Sequence, residues 1–373
     1  MEYRKLGRTG LDVSVIGLGM EYLNGQPRDT VVETVQTAIE AGVNYFDVIF
    51  SFPEYLDNMR AAFAGQRDQV LLTGHLGSTH KDGQYVRSRD PKKSEACFLE
   101  SLARLQTDYV DILFLHNSNT PQDYKKIFKP GGQLDTALRL QKEGKARFLG
   151  FSGHNISTSL QAVETGHIDV LMFPINLAAN AVPGKKELLQ ACATRGVAVV
   201  AMKPFGGGKL LNKDRTVRVG SYQMGGQALK LKKTAPITPV QCLAYVLAQV
   251  GVCTAVPGCK NAAQLTDALA YIQAPAEEKD FAPLVAEFQQ YLSGECVYCN
   301  HCLPCPAHID IGQMTRLLDL SRRQLTAELH GLYQELPVKA SACTECGACA
   351  QRCPFEVDVM ANIKQAVMMF ESN

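Results

Sequence analysis

The chain has 373 residues, the length of one large α/β unit followed by a smaller second unit. Hydrophobic residues make up 46% of it, enough for a sizeable buried core, and 38 Lys and Arg nearly balance 37 Asp and Glu. This balance argues against nucleic acid or an anionic membrane as a general partner. The first residues lack the apolar stretch of a secretory signal, and no run approaches the ~20 apolar residues that cross a bilayer, so we expect a cytoplasmic protein.

Short β-rich runs alternate with helical patterns over residues 1–275. The predicted strands are, in chain order, 13–19, 45–47, 70–73, 110–116, 148–152, 170–175, 197–202 and 254–257. The predicted helices between and after them include 29–41, 94–105, 160–165, 239–250 and 261–272. Strands that are buried on both faces and separated by helices indicate a parallel sheet.

About eight such units favour a closed (β/α)8 barrel. The alternative is an open doubly wound sheet, which usually carries Gly-x-Gly-x-x-Gly after its first strand. The corresponding sequence Gly17-Leu18-Gly19-Met20-Glu21-Tyr22 does not complete that motif. We therefore predict a barrel over 1–275, then a linker helix at about 276–292 and a small α-rich domain within 276–373.

The cysteines divide into two groups. Eight of the thirteen lie within 296–353, in the motifs Cys296-x2-Cys299-x2-Cys302-x2-Cys305-Pro306 and Cys343-x2-Cys346-x2-Cys349-x3-Cys353-Pro354. The remaining five are scattered through the predicted barrel and are expected to be packing residues: Cys97, Cys192, Cys242, Cys253 and Cys259.

The two motifs predict two [4Fe–4S] clusters. Two-residue spacings let three thiolates of one loop face three corners of a cubane, while the fourth cysteine, before a proline, ligates the other cluster. One predicted ligand set is Cys296, Cys299, Cys302 and Cys353, and the other is Cys343, Cys346, Cys349 and Cys305. This resembles the two-cluster bacterial ferredoxin module, with a shorter last spacing in the first motif and a longer insert between the motifs. The alternative is a pair of zinc sites, because Cys-x2-Cys pairs also form zinc knuckles.

The predicted barrel resembles the aldo-keto reductase family over about residues 1–275, and the whole chain is similar to the iron–sulfur branch of that family. The segments that carry the resemblance are Arg4-Lys5-Leu6-Gly7-Arg8-Thr9-Gly10-Leu11, Gly42-Val43-Asn44-Tyr45-Phe46-Asp47, Thr107-Asp108-Tyr109-Val110-Asp111 with Leu115-His116, Glu143-Gly144-Lys145-Ala146-Arg147, Pro204-Phe205-Gly206-Gly207-Gly208, and Val256-Pro257-Gly258 with Gln264-Leu265. The resemblance implies NADPH-dependent carbonyl reduction, in which Asp, Tyr, Lys and His act at the carboxyl ends of early strands.

An ungapped alignment gives a non-standard catalytic set. Asp47 takes the aspartate position and His116 the histidine position, whereas the tyrosine falls on Phe52 and the lysine on His75. Phenylalanine cannot donate a proton, and histidine is not a permanent cation. Tyr55 is one substitute donor if its loop bulges; alternatively, His75 pairs with Asp47 and leaves His116 as the nearest donor. The plainer alternative is that these polar residues only close the mouth of the barrel.

The resemblance also implies a nucleotide site that favours NADP(H). Met172 and Met202 replace a glutamine and a stacking aromatic ring of the family, and Ala268 replaces an asparagine. The glycine run would cradle a pyrophosphate with its backbone amides, although a bare turn also needs glycines. Lys260 would meet a 2′-phosphate, and no motif indicates a flavin site. The implied positions are Ser152, His154, Asn176, Pro204, Gly206, Gly207, Gly208, Lys209, Gly258, Lys260 and Gln264.

A basic segment follows the third predicted strand, at 80–90 with Lys92 and Lys93. It either steers an anionic substrate or an acidic redox protein, or is only a solvated face.

Three functions remain open. In the first, the barrel reduces a carbonyl or an activated double bond of a small molecule with NADPH, and the clusters brace the fold or dock a partner. In the second, the clusters exchange electrons with a redox partner, and the altered site performs a reaction without nicotinamide. In the third, the chain is a redox-sensing or scaffold protein that has lost catalysis, which the missing tyrosine and lysine favour.

Overall fold

The computed structural model describes residues 1–177, 184–211, 216–219, 229–232, 237–281, 296, 302–322, 325, 327–353 and 356–372. Eight strands form one parallel sheet in the order β3-β4-β5-β8-β9-β10-β11-β14, and three antiparallel hairpins accompany it. In chain order the strands are β1 Tyr3–Lys5, β2 Asp12–Ser14, β3 Leu18–Gly19, β4 Tyr45–Asp47, β5 Leu71–Leu76, β6 Ser78–Lys81, β7 Gln84–Arg87, β8 Val110–Leu115, β9 Ala146–Ser152, β10 Val170–Pro174, β11 Ala198–Met202, β12 Thr216–Val219, β13 Leu229–Lys232 and β14 Val252–Val256.

The sheet closes into a barrel. The amide of Gly17 donates to the carbonyl of Ala255 at 2.8 Å, and that of Gly19 donates to the carbonyl of Pro257 at 2.9 Å, so the first barrel strand pairs in parallel with the last. All eight predicted strands contribute to this ring, although the first, predicted at 13–19, divides into β2 of the β1–β2 hairpin and β3 of the ring. The (β/α)8 architecture is confirmed.

The helices of the barrel lie outside the ring. They are α1 Arg28–Glu40, α2 Pro53–Ala62, α3 Pro91–Leu105, α4 Pro121–Phe128, α5 Gln133–Lys142, α6 Ile156–Glu164, α7 Lys185–Thr194, α8 Pro239–Leu247 and α9 Ala262–Gln273. Six of them begin with Pro in the first turn or with an Asx or Thr side chain that caps the helix, as at α3, where Asp90 accepts from the amide of Lys92 at 2.9 Å.

The interior of the barrel is filled by side chains from alternate strand positions. Tyr45, Ile112, Phe114, Val170 and Val200 form one buried cluster there. On the other face of the same strands, a larger apolar cluster packs against the helices, which explains why the strands read as continuous apolar runs.

The buried carboxylate of Asp111 explains why two of the segments that resemble the family, the one ending in Asp111 and the one ending in Arg147, carry charged residues. Asp111 on β8 accepts from Arg67 at 3.0 Å and from Arg147 at 2.8 Å, and also from the amide of Leu72 at 2.9 Å. These contacts join β5, β8 and β9 at the amino end of the strands. They are structural, because they lie at the end of the barrel away from its carboxyl-end mouth.

The C-terminal part is a small helical domain with α10 Ile311–Ser321, α11 Ala327–Gln334, α12 Ala348–Arg352 and α13 Val359–Phe370. Its apolar core includes Tyr333, which stacks on Phe370 with ring centroids 4.2 Å apart. Most of the linker helix predicted at about 276–292 lies outside the described residues. Among the helices that the structure does describe, none is long and apolar enough to span a membrane.

The small domain contacts the carboxyl-end face of the barrel. Gln84 on β7 accepts from the amide of Cys305 at 3.1 Å and is also hydrogen-bonded to the ring of His308. Lys209 of the glycine loop lies 3.7 Å from Asp319 on α10. The face at which barrel enzymes hold substrates is therefore covered in part by the helical domain.

Candidate active site

Three adjacent barrel strands bring the predicted polar residues together. Asp47 ends β4, His75 lies near the end of β5, and His116 follows β8 directly. The residues preceding each of them are buried strand residues, so all three side chains are held rigidly at the mouth. The rings of His75 and His116 meet at 5.0 Å and nearly at right angles.

These side chains form one chain of hydrogen bonds. Oδ1 of Asp47 lies 2.9 Å from Nε2 of His75, whose Nδ1 lies 3.0 Å from Nδ1 of His116. Nε2 of His116 lies 2.6 Å from the hydroxyl of Tyr85. The same Oδ1 of Asp47 accepts from the hydroxyl of Thr73 at 2.8 Å, and that hydroxyl accepts from the amide of Val48. We call these four hydrogen-bonded side chains, in the order Asp47–His75–His116–Tyr85, the relay.

Tyr85 is the member of the relay that sequence analysis did not select. It lies on the hairpin of β6 and β7, whose turn residues Asp82 and Gly83 both have positive φ. An Asp-Gly turn between two short strand-like runs is a recognised hairpin signal, and it would have placed Tyr85 opposite His80 across the pair. The hydroxyl is buried, and burial raises the pKa of Tyr85 to about 12, so it is a neutral donor at physiological pH.

Phe52 and Tyr55 lie elsewhere in the same mouth. Phe52 immediately precedes α2 and packs against Phe50 with centroids 5.2 Å apart. Tyr55 lies within α2 and meets Phe50 edge-on from the apolar cluster behind it. Burial raises the pKa of Tyr55 well above its usual value. The structure therefore brings Tyr85, and not Tyr55, into hydrogen-bonding contact with the predicted histidines.

The basic segment is partly tied down by a carboxylate. Arg87 and Arg89 both pair with Asp123, at 3.3 and 3.0 Å, and Arg89 also donates to the carbonyls of His116 and Asn117. Burial lowers the pKa of Arg89 to about 10, so it stays charged at neutral pH. These two arginines anchor the loop after β8 to the hairpin that carries Tyr85.

The predicted nicotinamide residues gather on the opposite side of the mouth. Ser152 ends β9 and His154 follows it; both are buried, and Nε2 of His154 lies 2.8 Å from Nζ of Lys203. Burial first, and then the charge of Lys203, hold the pKa of His154 well below its usual value. The neutral ring therefore accepts from Lys203 and donates through Nδ1 to Asn119 at 3.1 Å. Asn176 donates to the carbonyl of Lys203 at 3.1 Å.

The glycine loop after β11 is exposed at its last glycine. Gly206 is buried, Gly207 is half-buried and Gly208 is exposed, and all three, which follow buried Pro204, have positive φ. A Cβ at Gly208 would meet nothing within 4 Å. The amides of Gly206 and Gly208 already donate to loop carbonyls at 3.0 Å, and Lys209 pairs with Asp319. The Gly208 end of the loop is therefore open to close approach by a ligand, while much of the loop's own hydrogen bonding is internal.

A cleft of about 440 Å³ lies between the barrel mouth and the helical domain. Tyr85, Phe52 and Glu21 line it on the barrel side. Burial raises the pKa of Glu21 to about 7, an effect that Lys203 opposes and Asp47 reinforces. Lys260 lines the same cleft, and its amide donates to Gln264 at 3.0 Å. Gly258 lies under the ring of Tyr22, where a Cβ would come within 2.5 Å of a ring carbon.

The described cysteines of the two motifs converge on one core. Cys302, Cys305 and Cys349 are buried in the core of the helical domain, and Cys296, Cys343 and Cys353 pack against it, while Cys346 is exposed. Cys305 and Cys343 both act electrostatically on the Cys349 thiol. This neighbourhood of Cys305 with the second motif fits the predicted exchange of the fourth ligand between clusters. Cys299 lies outside the described residues. Of the five cysteines in the barrel, Cys97 is half-buried and the other four are buried.

Comparisons with known proteins agree with this architecture. A profile of the aldo/keto reductase family matches residues 15–286, and a profile of a 4Fe-4S dicluster domain matches residues 295–358. The chain is 30% identical to L-galactose dehydrogenase of Arabidopsis thaliana over 220 residues, covering 56% of this chain and 67% of that protein. It is 26% identical to the uncharacterized oxidoreductase YqkF of Bacillus subtilis over 284 residues, covering 72% of this chain and 90% of YqkF.

Solved structures share the fold. The holo form of aldo-keto reductase AKR11C1 from Bacillus halodurans superimposes with a TM-score of 0.62 at 23% identity, covering 78% of this chain and 98% of that chain. The putative aldo-keto reductase PA4992 from Pseudomonas aeruginosa gives a TM-score of 0.56 at 21% identity, covering 72% of this chain and 96% of that chain. The chain belongs to the aldo/keto reductase family and is an oxidoreductase of that type with a C-terminal 4Fe-4S dicluster domain.

Proposed function

We propose that the protein reduces a carbonyl group, or an activated double bond, of a small molecule with NADPH, and that Tyr85 donates the proton in place of the tyrosine that Phe52 has replaced. The observation that carries this proposal is the unbroken relay from Asp47 to Tyr85, because it ends on a phenol that lines the cleft. A scaffold that had lost catalysis would have no need of four hydrogen-bonded polar side chains buried at the barrel mouth.

The relay has two protonation states. With Asp47 ionised and both imidazoles neutral, Nε2–H of His75 donates to Asp47, and Nδ1 of His75 must accept from Nδ1–H of His116. Nε2 of His116 then accepts the hydroxyl proton of Tyr85. In this state every hydrogen bond of the relay points from Tyr85 towards Asp47, so the phenol has no proton to give to a ligand in the cleft.

One added proton reverses the direction of the relay. If His75 is an imidazolium beside Asp47, its Nδ1–H donates to His116, and Nε2–H of His116 donates to the oxygen of Tyr85. The hydroxyl of Tyr85 is then free to donate into the cleft. The relay therefore stores one proton next to a carboxylate and delivers it at Tyr85, which is the task of a general acid in carbonyl reduction. Run backwards, the same relay accepts a proton from an alcohol.

The residues opposite Tyr85 fit a nicotinamide nucleotide. When bound, NADPH would supply a hydride to the carbon whose oxygen Tyr85 protonates. Ser152, His154 and Asn176 would orient the nicotinamide, and the exposed Gly208 end of the glycine loop would admit the pyrophosphate. Lys203, anchored on His154, adds a positive charge on this side of the mouth.

A second candidate function is supported by one contact. The amide of Cys305, a predicted cluster ligand, donates to Gln84, and Gln84 is the neighbour of Tyr85 on β7. Electrons passing through the clusters would thus reach the active-site hairpin directly, as the electron-transfer alternative requires. A cubane carries one electron at a time, whereas hydride carries two, so that alternative needs a further carrier or a substrate radical.

Two measurements test the proposal. The first compares carbonyl reduction by Tyr85→Phe and Tyr55→Phe, which remove the same hydroxyl from two buried tyrosines of one mouth. We expect Tyr85→Phe to lower kcat about a hundredfold or more, and Tyr55→Phe to change it by less than about threefold. The reverse order would assign the proton donor to Tyr55. His116→Ala should abolish turnover while its iron content stays at the wild-type level.

The second measurement is an anaerobic NADPH titration of cluster-loaded protein, followed by the visible cluster absorbance. Under the proposed function, NADPH leaves the clusters oxidised and is consumed only when a carbonyl substrate is present. Bleaching of the clusters by NADPH alone would support the electron-transfer candidate instead.

A further inference from the structure

The cleft in front of Tyr85 is built by both domains. On the helical-domain side its walls include Leu303, His308 and the first turns of α10, and on the barrel side they include Tyr22, Phe52 and Lys260. Gln84 bonds both to the Cys305 amide and to His308, which fixes this arrangement next to the relay. Residues of the helical domain are therefore in a position to contact whatever the cleft binds.

Two cations of this cleft have no acidic partner. Lys260 comes from the loop after β14 and Arg316 from α10, and both line the cavity half-buried. Within the described part of the chain, neither side chain forms an ion pair, although other arginines of the two domains, such as Arg87 and Arg322, do. The charge of Arg316 also lowers the pKa of Lys260, as does burial, so the two cations are close enough to repel each other.

The acids nearby offset this charge only in part. Asp310 lines the cleft, but its carboxylate caps α10 by accepting from the amide of Gln313 at 3.0 Å. Glu21 faces Asp47 and Lys203 and, with a pKa of about 7, is only partly ionised at neutral pH. Two unpaired cations from two domains in one partly closed cavity are an arrangement that an anion would stabilise.

We infer that Lys260 of the barrel and Arg316 of the iron–sulfur domain together bind an anionic group of phosphate type in the cleft, so that the iron–sulfur domain supplies part of the ligand site. Arginine suits this role because its planar guanidinium can donate two parallel hydrogen bonds to a phosphate or carboxylate. The group belongs either to the nucleotide, as its 2′-phosphate, or to the substrate. In both cases the helical domain recognises a ligand of the barrel and does more than carry clusters.

The test is calorimetric titration of inorganic phosphate into the anaerobic, cluster-loaded protein, without nucleotide or substrate. This measurement needs no turnover, so it is independent of the proposed reduction. We expect phosphate to bind the wild type, and Lys260→Gln and Arg316→Gln each to weaken binding at least tenfold. Arg316→Lys, which keeps the charge but loses the planar guanidinium, should bind phosphate more tightly than Arg316→Gln and more weakly than the wild type. Absence of phosphate binding to the wild type, or unchanged binding in both Gln variants, would overturn the inference.

Matched controls remove one exposed positive charge from each domain outside the cleft. Lys142→Gln in the barrel and Lys364→Gln in the helical domain should leave phosphate binding within about twofold. An equal loss in these variants would show that only net charge matters, and would contradict a built site. Iron content and circular dichroism of every variant confirm that its domains are folded.

Titrations with NADP+ and NAD+ identify the source of the anion. If the 2′-phosphate is the ligand group, Arg316→Gln weakens binding of NADP+ at least tenfold and leaves NAD+ unchanged. If the group belongs to the substrate, both nucleotides bind Arg316→Gln as they bind the wild type, while phosphate binding is still lost. Either outcome upholds the shared site. Equal weakening of both nucleotides, with phosphate binding retained, contradicts it.

Discussion

Nδ1 of His75 and Nδ1 of His116 lie 3.0 Å apart, so a single proton is held between the two rings. Whichever ring donates that proton, the other nitrogen of each ring already has its own partner. Nε2 of His75 faces the carboxylate of Asp47, and Nε2 of His116 faces the hydroxyl of Tyr85. The protonation of a carboxylate–imidazole pair deep in the mouth is thereby linked to the direction in which a phenol at the cleft points its proton.

Asp47→Asn should weaken the acid form of the relay. Asparagine removes the negative charge that lies 2.9 Å from Nε2 of His75, so the state of the relay in which Tyr85 donates into the cleft loses its charged partner. We expect kcat for carbonyl reduction to fall at least tenfold at neutral pH. Steady-state kinetics of the wild type and the variant measure this fall.

Asp12→Asn is the control, since Asp12 is exposed and pairs with Lys5 at the opposite end of the barrel. Its kcat should equal that of the wild type. A kcat of Asp47→Asn within about threefold of the wild type would show that the relay does not supply the proton.

Glu21 should make the protein less stable as pH rises towards neutrality. Its pKa is raised from 4.5 to about 7 by burial, so the folded chain keeps the proton at pH values where the unfolded chain has lost it. The stabilising contribution is complete below pH 4.5 and is lost progressively as pH rises to about 7. In Glu21→Gln this part of the pH dependence is absent.

The measurement is the thermal unfolding midpoint of both proteins between pH 5 and 8 under anaerobic conditions. The variant's advantage over the wild type should increase with pH and level off above about pH 7. A constant difference across the range would mean that Glu21 does not titrate there in the folded protein.

The barrel was predictable from sequence because its strands are buried on both faces. Such strands appear as short apolar runs, and the glycines and helices between them mark the units. The alignment also located Asp47, His75 and His116, since each lies at or next to the end of a recognisable strand. Which polar side chains form hydrogen bonds with each other at the barrel mouth depends on side-chain directions, and residue spacing in the sequence does not encode these.

Tyr85 shows this limit most clearly. It lies ten residues after His75, on an added hairpin that the alignment treats as a loop. Its contact with His116 depends on how that hairpin folds back over the mouth, held by Arg87 and Arg89 on Asp123. The cleft between the barrel and α10 could not be predicted from the sequence either. Each domain is recognisable by its own sequence pattern, but the cleft depends on how the two domains pack together.

Gly150→Ala should disturb the relay from behind. A Cβ at Gly150 would lie 2.3 Å from the ring of Phe114, and that ring stacks on His75 with centroids 5.1 Å apart. Phe114 is fully buried, so relieving the clash costs about 1–3 kcal/mol in the free energy of unfolding and displaces His75. We expect lower stability and reduced kcat, with iron content unchanged.

Gly331→Ala is the matched substitution, because Gly331 lies inside α11 and a Cβ there meets nothing within 4 Å. Its stability should rise slightly, by up to about 1 kcal/mol. Chemical denaturation compares the two. Equal stabilities would mean that the barrel interior relaxes around the added methyl group.

Double cysteine variants should reveal how the two motifs share their clusters. If Cys305 completes the cluster of the second motif, Cys305→Ala with Cys346→Ala damages one cluster twice, and half of the iron remains. Cys305→Ala with Cys299→Ala damages both clusters, and little iron remains. The presence of Cys305 and Cys349 in one buried core of the helical domain is the structural basis for this expectation.

If each motif instead ligates its own cluster, Cys305→Ala with Cys299→Ala leaves half of the iron, and Cys305→Ala with Cys346→Ala leaves little. Iron content per chain and the electron paramagnetic resonance spectrum of the reduced protein distinguish the two schemes. Cys97→Ala, a half-buried barrel cysteine outside both motifs, should retain all the iron.

Because Cys305 is also the residue whose amide donates to Gln84, loss of its cluster should loosen the hairpin that carries Tyr85. The Cys305→Ala protein should therefore lose kcat along with half its iron, whereas a variant that loses only the other cluster should lose less activity.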